Sequence, residues 1–215
     1  MDYPTAPLVS TAKVVYIGGI NSYGMKGRRI AHDGYDCTVP LMPSDNVRAI
    51  AARFLPRCIT GIQTYLNELC TCCLNCTKTV PDLVVGSSQG GAVAMSLVQN
   101  EWKGAKLILL APAWKTFSVP LIVPRDTVIV HGTDDWLISL SDSVQLRNKN
   151  KCTLIKVNDN HHLEHSYDLI LRQVDECSKR LGKHKSKEVI DRERAEYLNC
   201  TKMLITNHLF LGVKK

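Results

Sequence analysis

The sequence predicts a three-layer α/β/α sandwich built on a mainly parallel sheet. Three observations carry that expectation. Short β-rich apolar runs alternate with longer helical patterns along the chain, and the runs Val84-Val85 and Leu107-Ile108-Leu109-Leu110 are apolar without interruption. A length of 215 residues also suits one core and is too short for a second sizeable one. Uninterrupted runs matter because strands covered on both faces have no solvent side on which to place polar residues.

Taken in order, Val14-Val15-Tyr16-Ile17 predicts a first strand over Lys13–Ile17, and a short second one covers Tyr35–Val39. A helix is expected over Ala49–Cys70, broken at Leu55-Pro56, since proline removes a helix hydrogen bond and restricts its predecessor. The third strand is Leu83–Gly86. The helix after it, Gln89–Gln99, begins with Gly90-Gly91, small enough to press against the sheet. Further strands follow at Lys106–Leu110, Thr127–His131 and Thr153–Val157, with helices at Ser141–Asn148 and His162–Leu181. The pattern changes beyond Gly182. A charge-rich stretch precedes Met203-Leu204-Ile205 and Leu209-Phe210-Leu211, so the chain divides into a domain at 1–182 and a basic extension at 183–215. The extension is expected to be helical and docked on the domain, because its apolar end would otherwise form a sticky patch.

Hydrophobic residues make up 45% and charged ones 22%, which excludes wholesale disorder. The net charge of +7 does not point to nucleic acid. Between Lys179 and Lys215 ten basic residues face four acidic ones, so nearly all the excess lies in this C-terminal tail, where a solvated helix face accounts for it. Met1-Asp2-Tyr3-Pro4 lacks the basic and apolar regions of a secretory leader, and no run approaches the roughly 20 apolar residues of a membrane span. The expectation is a soluble cytoplasmic protein.

Nine cysteines are many for a reducing compartment. Four of them cluster at Cys70, Cys72, Cys73 and Cys76, where Cys73 and Cys76 have C-x-x-C spacing, but no second pair follows to complete four metal ligands. They are expected as free thiols on a helix end and the loop after it. A thiol or metal protein centred on this cluster is the weakest of three functional readings.

The strongest reading starts at Gly86-Ser87-Ser88-Gln89-Gly90, directly after Leu83-Val84-Val85 and before the helical Ala92–Val98 pattern. A serine hydroxyl attacks nothing at neutral pH unless the backbone lifts it out and a base takes its proton. Glycines two residues either side of Ser88 permit a sharp strand-to-helix turn, at places where a side chain would strike the neighbouring strand or helix. Ser88 is therefore the candidate nucleophile.

Downstream, Val128-Ile129-Val130-His131-Gly132-Thr133-Asp134-Asp135 is a buried strand running into a turn with two carboxylates. Val157-Asn158-Asp159-Asn160-His161-His162-Leu163-Glu164-His165 then offers histidines. An acid, then a base, follow the nucleophile. In this order the chain resembles the α/β-hydrolase superfamily, in particular its compact, cap-less esterases and thioesterases. The first segment is similar to that superfamily's strand-H-G-x-x-D-x-x-V motif. The resemblance implies Asp135 as the acid, with Asp134 as the alternative or as a helper in the turn, and His131 as structural. The second segment is similar to the last catalytic loop, which implies His161 as the base, with His162 as the alternative and His165 in the following helix. Val14-Val15-Tyr16-Ile17-Gly18-Gly19-Ile20-Asn21-Ser22 resembles the early strand and H-G-F-x-S loop of small esterases, departing from it at Gly18, where histidine is usual. It implies oxyanion donors at the N–H groups of Ile20 and Gln89, with Asn21 and Ser22 at the pocket mouth.

Only 47 positions separate Ser88 from Asp135, too few for a large cap. Trp114, Phe117 and Trp136 are candidates for the acyl pocket or for packing beside it. The expectation is a serine hydrolase acting on small or extended esters or thioesters, with no metal, no organic cofactor and no nucleic-acid partner. A non-catalytic binding protein on the same fold is the second reading, because a fold alone never establishes activity.

Overall fold

The computed structural model describes residues 10–19, 24–40, 59–77 and 79–183. Six strands lie among them: β1 (Ser10–Ile17), β2 (Tyr35–Thr38), β3 (Leu83–Ser87), β4 (Lys106–Leu110), β5 (Val128–Gly132) and β6 (Thr153–Val157). They form one sheet in the order β2-β1-β3-β4-β5-β6, every pair parallel. The chain leaves β1 for one edge, then returns to β1's other side and winds outward. That reversal makes the space beyond the carboxyl ends of β1 and β3 the topological switch point, where open α/β sheets hold ligands.

Helices cover both faces, as the sequence predicts. Alternate residues of each strand divide between two cores: Val15, Ile17, Val84, Leu107, Leu109 and Ile129 face α2 (Ile59–Cys76), α3 (Gln89–Asn100) and α4 (Leu140–Asn150). On the other side, Val14, Tyr16, Leu83, Val85, Ile108, Leu110 and Val130 meet α1 (Met25–His32) and α5 (Tyr167–Arg180) through Ile30, Tyr167, Ile170 and Val174. Each fully buried aliphatic side chain stabilises the fold by roughly 1.5–3 kcal/mol relative to exposure. The central strands of the sheet hold most of these side chains, so β3 and β5, which carry Ser88 and Asp135, are the most firmly held.

Three helices depart most from the sequence reading. Helix α1 was not expected, because in Met25–His32 only Gly27 and Ile30 are buried, too few to mark an apolar stripe. It docks instead by close approach: a Cβ on Gly27 would lie 2.7 Å from the Tyr16 ring, and Arg29 stacks 3.7 Å over the Tyr167 ring. Helix α2 runs on to Cys76, so the cysteine cluster lies within the helix rather than on a loop after it. Thr71 and Thr77 there bond back to the carbonyls of Asn67 and Cys73. The earlier part of the expected Ala49–Cys70 helix, with its break at Leu55-Pro56, lies outside the described residues. Helix α5 starts at Tyr167 rather than His162, because residues 161–166 form a turn with Leu163 at φ 52°. His165 consequently sits in that turn, exposed, and not in the helix.

At the domain's end, Lys183 Nζ donates to Asp82 Oδ1 (2.7 Å) while its carbonyl accepts from Thr11 N (2.9 Å) and Ser10 Oγ (2.7 Å). The extension thus leaves from beside the start of β1. Residues 184–215 lie outside the described residues.

Candidate active site

Ser88 stands between the last residue of β3 and the first of α3, at φ 54° and ψ −119°. A non-glycine residue in that region costs of order 1–3 kcal/mol and persists only when its surroundings dictate it. Here they do. The Ser88 N–H donates to Leu110 O on β4 (2.8 Å), and the Ser88 carbonyl accepts from Gly91 N (2.9 Å) and Ala113 N (3.0 Å). The collisions expected at the flanking glycines are present: a Cβ on Gly86 would lie 2.6 Å from both Ala94 Cβ and Gly90 O, and one on Gly90 would lie 2.1 Å from Ile17 O.

The turn after β5 carries Asp135, whose side chain is fully buried. Its Oδ1 accepts from the backbone N–H groups of Leu137 (2.9 Å) and Ile138 (2.8 Å). The loop after β6 carries His161, 8% exposed, with Nδ1 2.8 Å from Asp135 Oδ2 and Nε2 3.0 Å from Ser88 Oγ. One tautomer satisfies this chain: Nδ1–H donates to the carboxylate and Nε2 accepts the serine proton. Burial by itself would raise the Asp135 carboxyl, but hydrogen bonds from His131, His161 and the Ile138 N–H outweigh it and hold the group well below the usual carboxylate range.

That depression has a testable sign. A carboxyl depressed on folding stabilises the fold at pH above its ordinary 3.8, and the contribution fades as pH falls further, towards the folded value. Asp135→Asn is therefore expected to lower the unfolding free energy at pH 7, and the gap from the native protein is expected to narrow progressively below pH 3.8. Urea titrations across that range check it.

The two alternatives do not join the chain. Asp134 is exposed: its carboxylate accepts from Thr133 Oγ1 (3.4 Å) and its N–H donates to Asp159 O (3.1 Å). The His162 ring is exposed and meets His161 edge-on at 5.9 Å. His161 is held by its loop. The buried Asp159 carboxylate accepts from Asn160 N and Ser166 Oγ (2.8 Å each), while Asn160 Oδ1 caps His162 N (2.7 Å). Lys26 of α1 donates to the His162 carbonyl, and burial pushes its ammonium below the ordinary value, opposed by the Glu164 and Asp159 carboxylates. The sequence reading missed Lys26 and Asp159. Asp159, two places before His161, was a visible signal, and the lysine, 135 positions upstream of that histidine, was not.

Gln89 opens α3, with its side chain buried and its Oε1 accepting from Tyr65 OH (3.3 Å). Ile20, Asn21 and Ser22 lie outside the described residues; Gly19, just before them, is close enough that a Cβ there would lie 3.0 Å from Ser88 Cβ. Trp114 and Phe117 pack in the core beside Tyr65, and Trp114 Nε1 donates to Asp142 O (3.3 Å). Trp136, by contrast, is 74% exposed beside Asp135. Between Ser88 and Asp135 the chain holds only α3, β4, a connecting segment and β5, and no cap domain.

No family model matches the chain, and no curated protein matches it in sequence. Solved structures do match in shape. Alpha/beta hydrolase domain-containing protein 10 from mouse superposes with a TM-score of 0.56 at 14% identity, over 78% of this chain and 90% of that one. The fold is that of the α/β-hydrolases. Est1E from Butyrivibrio proteoclasticus shares it at a TM-score of 0.53 and 17% identity, over 82% of this chain and 87% of its own. So does a thioesterase domain from the curacin biosynthetic pathway, at 0.53 and 13%, over 76% and 91%. On this fold Ser88, Asp135 and His161 sit at the carboxyl ends of β3, β5 and β6, on the sheet edge that holds ligands.

Among the described residues no group of three or more His, Cys, Asp or Glu side chains is arranged to hold a metal ion, and no helix is long and apolar enough to cross a membrane. Cys73 is buried, and desolvation pushes its thiol well above the ordinary range, which does not suit a nucleophile.

Proposed function

We propose that this chain is a serine hydrolase that cleaves carboxylic esters or thioesters through an acyl-enzyme on Ser88. The observation that carries the proposal is the continuous chain from Ser88 Oγ through the His161 ring to Asp135, with the serine on a strained turn. His161 Nε2 takes the hydroxyl proton as Oγ attacks the substrate carbonyl. The resulting oxyanion is received by the N–H groups of Gln89 and Ile20. His161 then returns the proton to the departing alkoxide or thiolate, and Asp135 stabilises the imidazolium in between. Water, deprotonated by the same nitrogen, releases the acid. The chemistry calls for no metal or organic cofactor.

The short interval between Ser88 and Asp135 supports an open site for small or extended acyl groups, with exposed Trp136 at its rim. A thioesterase domain shares the fold, which keeps thioesters beside oxygen esters as the substrate class. The deciding experiment is labelling with a fluorophosphonate probe. The native protein is expected to label and Ser88→Ala is not; equal labelling of the two would overturn the proposal. p-Nitrophenyl esters of graded chain length then give the acyl preference.

A further inference from the structure

A second histidine stands behind the acid. His131, at the end of β5, is completely buried, with Nδ1 2.7 Å from Ser143 Oγ on α4 and Nε2 3.1 Å from Ile138 O. The same Nε2 lies 3.3 Å from Asp135 Oδ2, the oxygen that His161 engages. A carbonyl and a carboxylate are both acceptors, so Nε2 must carry the proton; Nδ1 then accepts from the Ser143 hydroxyl. His131 is thus the Nε2–H tautomer and His161 the Nδ1–H tautomer, and both rings face one carboxylate oxygen, His161 hydrogen-bonded to it at 2.8 Å and His131 in close contact at 3.3 Å. The result is a chain Ser143, His131, Asp135, His161, Ser88.

Ile138 closes a bracket around the acid. Its carbonyl accepts from His131 while its N–H donates to Asp135 Oδ1. With Leu137 N–H and His161 Nδ1–H, the carboxylate meets three hydrogen-bond donors, and the His131 Nε2–H edge packs 3.3 Å from Oδ2 beside them.

We propose that His131 is a positioning residue for the Ser88 site, a buried second imidazole whose Nε2–H edge lies against Asp135 Oδ2 and, through the Ile138 bracket, fixes that carboxylate and shares its charge with His161. The proposal rests on the serine-hydrolase reading for its kinetic test and on geometry alone for its spectroscopic one. Without His131 the carboxylate turns more freely and concentrates its charge on His161. An imidazolium held more strongly stays protonated to higher pH, so the base is lost over part of the working range. Other charged and titratable groups around the pair are Asp134 in the acid turn, Asp159, His162 and Glu164 in the base loop, Lys26 from α1 and Asp142 on α4. The variants below leave all of them in place.

The test compares His131→Phe, His131→Gln and Ser143→Ala in the full chain, using pH profiles of kcat and KM on an activated ester. His131→Phe is expected to lower kcat at pH 7 by about ten- to a hundredfold with little change in KM. Its acid limb should move to higher pH, and His131→Gln, which retains an N–H donor, should recover most of the loss. Ser143→Ala removes only a hydroxyl and should shift the limb in the same direction by less, so a His131→Phe that fails to fold does not end the test. Profiles of Gln and Ala variants that superimpose on the native one, with no loss in His131→Phe, would overturn the proposal. Proton NMR reads the same coupling without turnover. Two downfield imidazole N–H resonances are expected, and the His161 signal should move when Ser143 or His131 is changed. If the native protein hydrolyses nothing but this shift appears, the serine-hydrolase reading falls and the coupling stands; an unmoved His161 signal overturns the coupling.

Discussion

His161→Ala is expected to lower kcat for an activated ester by roughly 10⁴- to 10⁶-fold, because the nucleophile and its base act as a unit. His162→Ala, measured beside it, should leave kcat near the native value. The two residues are neighbours in sequence, yet only His161 lies 3.0 Å from Ser88 Oγ and 2.8 Å from Asp135 Oδ2. The His162 ring is exposed, and its contributions to the loop are a backbone N–H held by Asn160 and a carbonyl held by Lys26. Truncating the ring removes neither. Retained activity in His161→Ala with loss in His162→Ala would reverse the assignment of the base, and equal losses would mean that the loop, not one ring, is being read.

Gly90→Ala is expected to cost more than about 4 kcal/mol of stability, in the exceptional tail of single substitutions. The added methyl would lie 2.1 Å from Ile17 O and 2.5 Å from Gly18 O, backbone atoms that cannot rotate away. To make room, α3 must lift from β1 or β1 must shift. Either movement drags on a helix whose buried face runs from Gln89 to Val98. Thermal or urea unfolding of Gly90→Ala against Ser88→Ala separates the two sources of inactivity. The alanine at 88 abolishes chemistry in a folded protein, and the alanine at 90 lowers the midpoint itself.

Both substitutions bear on features that were legible in the sequence for a physical reason. A turn between a buried strand and a buried helix needs small residues at fixed places, and Gly86 and Gly90 stand there; strands covered on both faces must be apolar throughout, as Leu107–Leu110 is. What stayed hidden depends on partners distant in sequence. Helix α1 leaves little apolar trace because a glycine and a stacked guanidinium dock it. The start of α5 is displaced because Asp159, Asn160 and Ser166 hold the preceding residues in the turn that presents His161. Cysteines have only middling helix propensity, so their pattern did not carry α2 through to Cys76. His131 could be placed at a strand end from its spacing, but that its Nε2 turns towards Asp135 and its Nδ1 towards Ser143 required coordinates.

The sheet order sets an asymmetry in the site. The proposed nucleophile, Ser88, rises from β3, which has neighbours on both sides, whereas the proposed base, His161, follows β6, the edge of the sheet among the described residues, with β5 as its one strand neighbour. Edge strands open locally at lower free energy than central ones. Fraying of that margin would withdraw the proton acceptor while the strained serine stays clamped between β4 and α3. Partial opening therefore silences such a site before the acyl group is ever attached, and its closing restores the site without rebuilding the turn that bears the serine.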